Sequence, residues 1–156
     1  MAGDVLDAFS PATREWFRGS FHAPTAAQSG AWSAISRGHH TLVVAPTGSG
    51  KTLSAFLWAI DRLASTAPPD DRKARCRVLY ISPMKALAAD VERNLRSPLV
   101  GIGHAAARLG VERPDISVAV RSGDTPADER RAFARTPSDI LITTPESLFL
   151  LLTSAA

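Results

Sequence analysis

The residues with the most chemistry to offer stand in one run, Ala45-Pro46-Thr47-Gly48-Ser49-Gly50-Lys51-Thr52. Gly48 and Gly50 let the backbone curl so that successive N–H groups turn toward one point, which is what an anion needs. The Lys51 ammonium has the reach to touch the β and γ phosphates of a nucleoside triphosphate. The hydroxyl of Thr52 is a suitable ligand for the accompanying Mg2+. Thr47, Gly48, Ser49, Gly50 and Lys51 are therefore the expected phosphate ligands, and Lys51 is also the group expected to stabilise a transferring phosphate. The bland alternative is a glycine turn beside an exposed lysine. It leaves unexplained the apolar run before the segment and the periodic stretch after it.

Those flanks must position the loop. Residues 42–45 read as a buried strand. Leu53, Phe56, Leu57, Ile60, Leu63 and Ala64 follow at helical spacing, so a helix aims its positive end at the same anion. Pro68 and Pro69 stop it. Further strands are expected at 78–81, 116–120 and 140–142. A helix carries Leu87, Ala88, Val91 and Leu95, and Ser97-Pro98 reads as the start of another that ends before Gly110. Thr125, Pro126 and Asp128 fit a capping box. Thr144-Pro145-Glu146 supplies a cap, a helix-start proline and an N-terminal carboxylate. Strand-then-helix units in succession predict an α/β fold, a parallel sheet with helices on both faces. The stretch 66–77 reads as a surface loop with solvated basic residues.

Bulk properties bound the rest. The chain has 156 residues, 18 basic against 15 acidic, for a formal net charge of +3. That charge is compatible with a polyanionic partner and does not by itself argue for one. The single cysteine, Cys76, rules out an intramolecular disulfide framework and suits a reducing compartment. No export signal and no membrane-length apolar run is visible, so the expectation is a cytoplasmic protein with no membrane partner.

Other segments speak to what the triphosphate is used for. Upstream, "FHAPTAAQSGAWSAISRG" places Pro24, Thr25 and Gln28 about twenty residues before the loop. It resembles the Q-motif of superfamily 2 helicases, whose glutamine selects ATP; Gln28 has a donor and an acceptor for an adenine edge. Phe21 is placed to stack on adenine, and Trp16, Phe17 and Phe21 serve equally as core anchors. Downstream, "SPMKALAAD" is similar to helicase motif Ia, "RSGDTP" to the glycine-containing segment after it, and "TTPESL" to motif Ib. Each lies at or beyond a predicted strand's carboxyl end, where open α/β sheets bind ligands. Pro83, Lys85, Arg121, Gly123, Thr144 and Pro145 are the candidates for touching a nucleic-acid backbone. For each, a well-capped helix start is the alternative.

"APTGSGKT", "SPMKALAADVERNL", "GDTPADER" and "DILITTPESL" together resemble the large helicase-related (Lhr) family of superfamily 2. The resemblance runs from about Phe17 onward. It implies a RecA-like domain, with ATP and Mg2+ as cofactors and single-stranded DNA or RNA as partner. It also implies 3′-to-5′ unwinding by two such domains in a longer polypeptide. One element of the pattern is missing: no Asp-Glu pair follows an apolar strand, the acid that holds Mg2+ and positions water. Asp139 precedes its strand, Asp124 lies beyond one, and Glu146 sits within the segment like motif Ib. The expectation is a lead-in over 1–20 and a partial first RecA-like domain over 21–156, incomplete at its C-terminus, with the remainder of the helicase as partner and negligible hydrolysis alone. A standalone ATP or nucleic-acid binding module is the competing reading. A phosphate-loop small-molecule kinase ranks below both, since no acceptor lid is evident.

Overall fold

The computed structural model describes residues 4–154, apart from the side chain of Lys85. Two compact units divide the chain: one comprises the residues up to Ser65 with Ser97–Pro114, the other Thr66–Arg96 with the residues from Asp115 onward.

The first unit is helical. A 3₁₀ turn, Val5–Ala8, precedes α1 (Pro11–Ser20), α2 (Ala26–Ile35) and α3 (Lys51–Ser65). Ser10 caps α1, and the buried Asp61 of α3 accepts from the Ser10 amide at 3.0 Å, tying the start of α1 to α3. The core is aromatic: Phe9 meets Trp32 edge-on at 5.0 Å and Trp58 at 5.5 Å, and Phe17 meets Trp32 at 5.5 Å. Trp32 is fully buried, and its indole N–H reaches the Ser54 carbonyl at 2.9 Å. Trp16 and Phe17 are core anchors, while Phe21, 43 % exposed, rests on both. The helix α2 ends in a Schellman motif on Gly38, whose φ of 81° suits glycine, with His39 donating to Ala34.

The second unit carries a three-stranded parallel sheet of β1 (Val78–Ile81), β2 (Val118–Arg121) and β3 (Ile140–Thr143), in the order β1-β3-β2. All four residues of β3 are buried, as a central parallel strand between covered faces should be. Leu79 and Ile81 of β1 each remain 47 % exposed, so one face of that strand is less covered than the sequence predicts. The helices α5 (Ala127–Arg135) and α6 (Pro145–Thr153) follow β2 and β3.

One buried carboxylate staples the amino ends of all three strands. Asp139, 1 % exposed, accepts from the Ser117 amide at 2.9 Å and hydroxyl at 2.7 Å, and from Arg75 and Arg77 at 3.2 and 3.3 Å. Its own carbonyl accepts from the amides of Arg77 and Val78. Burial alone would raise this carboxyl's pKa. The Ser117 amide and hydroxyl and the Arg75 guanidinium overcome that and hold it below its ordinary value. Two of the basic residues in the 66–77 loop are thus structural ion-pair partners rather than solvated charges. Cys76 is half-buried among them, and burial pushes its thiol pKa up.

Three expectations are corrected. Residues 42–45 are not a strand: among the described residues they pair with none, and Leu42 and Val44 are 88 % and 86 % exposed. An apolar run becomes a strand only when a neighbour takes its ladder of N–H and C=O groups. Ser97-Pro98 does not start a helix; α4 runs unbroken from Lys85 to Arg108 through Pro98. Ala88, Val91, Leu95, Pro98, Ile102 and Ala105 form a buried stripe at alternating spacings of three and four, and that stripe outweighs the one lost hydrogen bond. It ends as expected at Gly110, φ 68°, with Val111 donating to Ala106 and Gly110 to Ala107. Finally, Thr125 makes no capping box: the cap position falls on Pro126, and the Thr125 hydroxyl accepts from the Ser122 amide at 2.8 Å instead.

Candidate functional site

The helical unit builds a tightly curled loop at the start of α3. Gly48 and Gly50 hold φ of 82° and 78°, the left-handed conformation that lets the chain double back into the first turn of α3. Nothing crowds Gly48, so a ligand has room to approach its backbone. Lys51 folds along the loop, its ammonium donating to the carbonyls of Ala45 and Pro46. The Ser49 hydroxyl is buried without a hydrogen-bond partner. Thr47 and Thr52 are exposed.

The segment around Gln28 is pinned to this loop. Thr25 caps α2, its hydroxyl accepting from the Gln28 amide at 3.2 Å while Gln28 Oε1 accepts from the Thr25 amide at 3.0 Å. The same Thr25 hydroxyl donates to the Ser49 carbonyl at 2.9 Å, and Gln28 Nε2 approaches the Gly50 carbonyl at 3.5 Å. Gln28 is only 4 % exposed. A residue chosen for adenine contact therefore also closes a capping box and reaches the phosphate loop.

The contact with Gly50 is tight enough that a side chain there would have to push the Gln28 amide aside. A Cβ there would stand 2.4 Å from Gln28 Nε2, and at φ 78° any L-residue is strained by about 1–2 kcal/mol. Gly50→Ala is expected to destabilise the chain in urea. In a Gln28→Ala background its cost should shrink, because the clash is gone and only the backbone strain is left. Additive costs in the double-mutant cycle would contradict the contact.

The sheet unit brings the remaining candidates to one end. Register aligns Ile81, Thr143 and Arg121 in a single row at the carboxyl ends of the strands, opposite the Asp139 staple. From that end lead the turn with Gly123, the cap and first residue of α6 (Thr144 and Pro145), and the Pro83 segment before α4. Pro83 and Gly123 are exposed, whereas Thr144 is buried, its hydroxyl directed to that of Ser147 at 3.3 Å. Lys85 is the first residue of α4, and its side chain lies outside the described residues. Arg121 is half-buried; burial, and then the neighbouring Arg130 charge, lower its pKa from the ordinary value. Arg130 was not singled out by sequence, where it is one of three arginines in a short polar helix. Its guanidinium reaches the carbonyls of Thr125 and Gly123 at 2.7 and 3.2 Å.

Among the described residues no cluster of three His, Cys, Asp or Glu side chains could cage a metal, and no helix is long and apolar enough to cross a membrane.

The sequence model of the DEAD/DEAH box helicase family matches residues 25–156. A Mycolicibacterium smegmatis protein described as "Lhr helicase/ probable uracil glycosylase" is 64% identical over 98% of the chain, and an Escherichia coli "Lhr helicase/uracil glycosylase" is 54% identical over 96%. The chain spans 10% of the length of each. The solved Mycobacterium smegmatis helicase Lhr, bound to ssDNA and AMP-PNP, superposes with a TM-score of 0.91 at 63% identity, covering 98% of this chain and 19% of that one.

Proposed function

The chain belongs to the DEAD/DEAH box helicase family, and from that premise we propose that it is the ATP-gripping, nucleic-acid-contacting part of a superfamily 2 helicase motor. The observation that carries the reading is the cradle at 47–52, curled on two left-handed glycines and pinned by Thr25 and Gln28. Amides of Thr47 to Lys51 would hold the phosphates, Lys51 would neutralise their charge, and Thr52 would ligate Mg2+. ATP so bound supplies the free energy for translocation. Gln28 has one further amide hydrogen and lone pair for an adenine edge beyond those it spends on the loop.

The second half of the proposal concerns the carboxyl end of the sheet. Arg121, Gly123, Thr144 and Pro145 there, with Pro83 and Lys85, would contact a sugar-phosphate backbone without reading sequence. A relative of 63% identity holds ssDNA and AMP-PNP, which supports single-stranded nucleic acid and ATP as the ligands. Unwinding is a property proposed for the longer polypeptide, with this segment as part of its first RecA-like domain, working in the cytoplasm with Mg2+.

The test is anisotropy of a labelled oligo-dT titrated with the chain, with and without Mg·AMP-PNP. The expected result is binding that weakens steeply with salt, as phosphate contacts require, and that responds to nucleotide. Binding indifferent to salt would contradict the backbone-contact reading.

A further inference from the structure

The turn joining β2 to α5 is held from outside by one side chain. Arg130, in the second turn of α5, places Nε 2.7 Å from the Thr125 carbonyl and an Nη 3.2 Å from the Gly123 carbonyl. Within the turn, Ser122 donates to the Thr125 hydroxyl and Thr125 donates back to the Ser122 carbonyl. A trans peptide sets its N–H opposite its C=O, so drawing the Gly123 carbonyl toward Arg130 turns the Asp124 N–H the other way. Arg121 ends β2 beside this turn and lines, with Thr125, Glu129 and Arg130, a cavity of about 310 Å³.

The Arg130 charge acts on Arg121 across this cavity, which Glu129 also lines. The carbonyl dipoles of residues 123 and 125 account for the forked donors of Arg130, whereas among the described residues no hydrogen bond or ion pair commits the Arg121 side chain. We propose that Arg130 is a positioning residue for nucleic-acid binding: it fixes the Gly123–Thr125 turn, and the backbone phosphate is met by Arg121 beside that turn. This rests on the nucleic-acid reading above and adds to it a role for the last residue of the GDTPADER segment, to which the sequence assigned none. Charge is not the essential property of Arg130; the planar fork is, and lysine cannot supply it.

The experiment measures oligo-dT affinity of the full chain across a salt series for wild type, Arg130→Gln, Arg130→Lys and Arg121→Gln, with amide spectra of each free protein. Both Arg130 variants should bind about five- to tenfold more weakly, the loss of two hydrogen bonds. Their salt slope should match wild type, while Arg121→Gln should flatten it by about 0.7, one single-strand phosphate contact. The Gly123, Asp124 and Thr125 amide signals should move in both Arg130 variants. Wild-type affinity in Arg130→Lys, a flattened slope in Arg130→Gln, or unmoved turn amides would each overturn the assignment. A wild-type chain that ignores the oligonucleotide refutes the underlying nucleic-acid reading instead, and the free-protein amides still judge the turn.

Discussion

Lys51→Ala should weaken binding of a fluorescent ATP analogue by at least about 100-fold, since each hydrogen bond to a charged group contributes about 1.5–3 kcal/mol and 1.4 kcal/mol is tenfold. This ammonium lies along the loop on the Ala45 and Pro46 carbonyls. Both are carbonyls of exposed or half-exposed loop residues, so the variant should melt close to wild type. Loss of affinity with an unchanged melt is the expected pair of results. Unchanged affinity would remove Lys51 from the site, and a collapsed melt would mean that its bonds to the loop hold the fold.

The largest effect on stability is expected at the amino ends of the strands, in the sheet unit. Asp139→Ala leaves Arg75 and Arg77 facing each other across the amino ends of three strands with no carboxylate between them. Removing one side of a fully buried ion pair costs about 3–5 kcal/mol, and the partial exposure of Arg75 and Arg77 puts this loss toward the lower end of that range. Domains of this size hold only about 5–15 kcal/mol in total, so the loss should be plain in urea unfolding at neutral pH. The sign with pH follows from the lowered pKa of Asp139. A carboxyl that titrates lower when folded contributes stability that is complete above its unfolded value of about 3.9 and is lost as pH falls through its folded value. The gap between wild type and Asp139→Ala should therefore be widest at pH 6 to 7, narrowing from about pH 5 downward. A gap that stays constant to pH 3 would contradict the linkage.

The loop and the Asp139 cluster were not equally legible. The phosphate loop could be read because its determinants are consecutive: glycines, lysine and threonine act on one another within a single turn. The strands of β1 and β3 were legible for a similar reason, being short β-branched and apolar runs bounded by turns. Asp139 was opaque because its partners lie 62 and 64 residues away in Arg77 and Arg75 and 22 residues away in Ser117. Nothing in local spacing marks such a cluster. Residues 42–45 have the composition of a strand, yet pairing is a property of two segments, and none of the described strands takes them. The passage of α4 through Pro98 was readable in principle, since the stripe from Ala88 to Ala105 keeps its rhythm across the proline. The proline was weighted above the rhythm, and packing of the stripe decided otherwise. Gln28 and Thr25 stood out by their distance from the loop, but that they pin its carbonyls emerges only in three dimensions.

Everything turns on whether the main chain from Gly48 to Thr52 closes around a triphosphate. Titration of the isotopically labelled chain with Mg·AMP-PNP, followed through its amide resonances, measures this directly. Large, saturable shifts at Gly48, Ser49, Gly50, Lys51 and Thr52, accompanied by Gln28, are the predicted result. A folded chain in which those amides stay still while nucleotide is added in excess would contradict it.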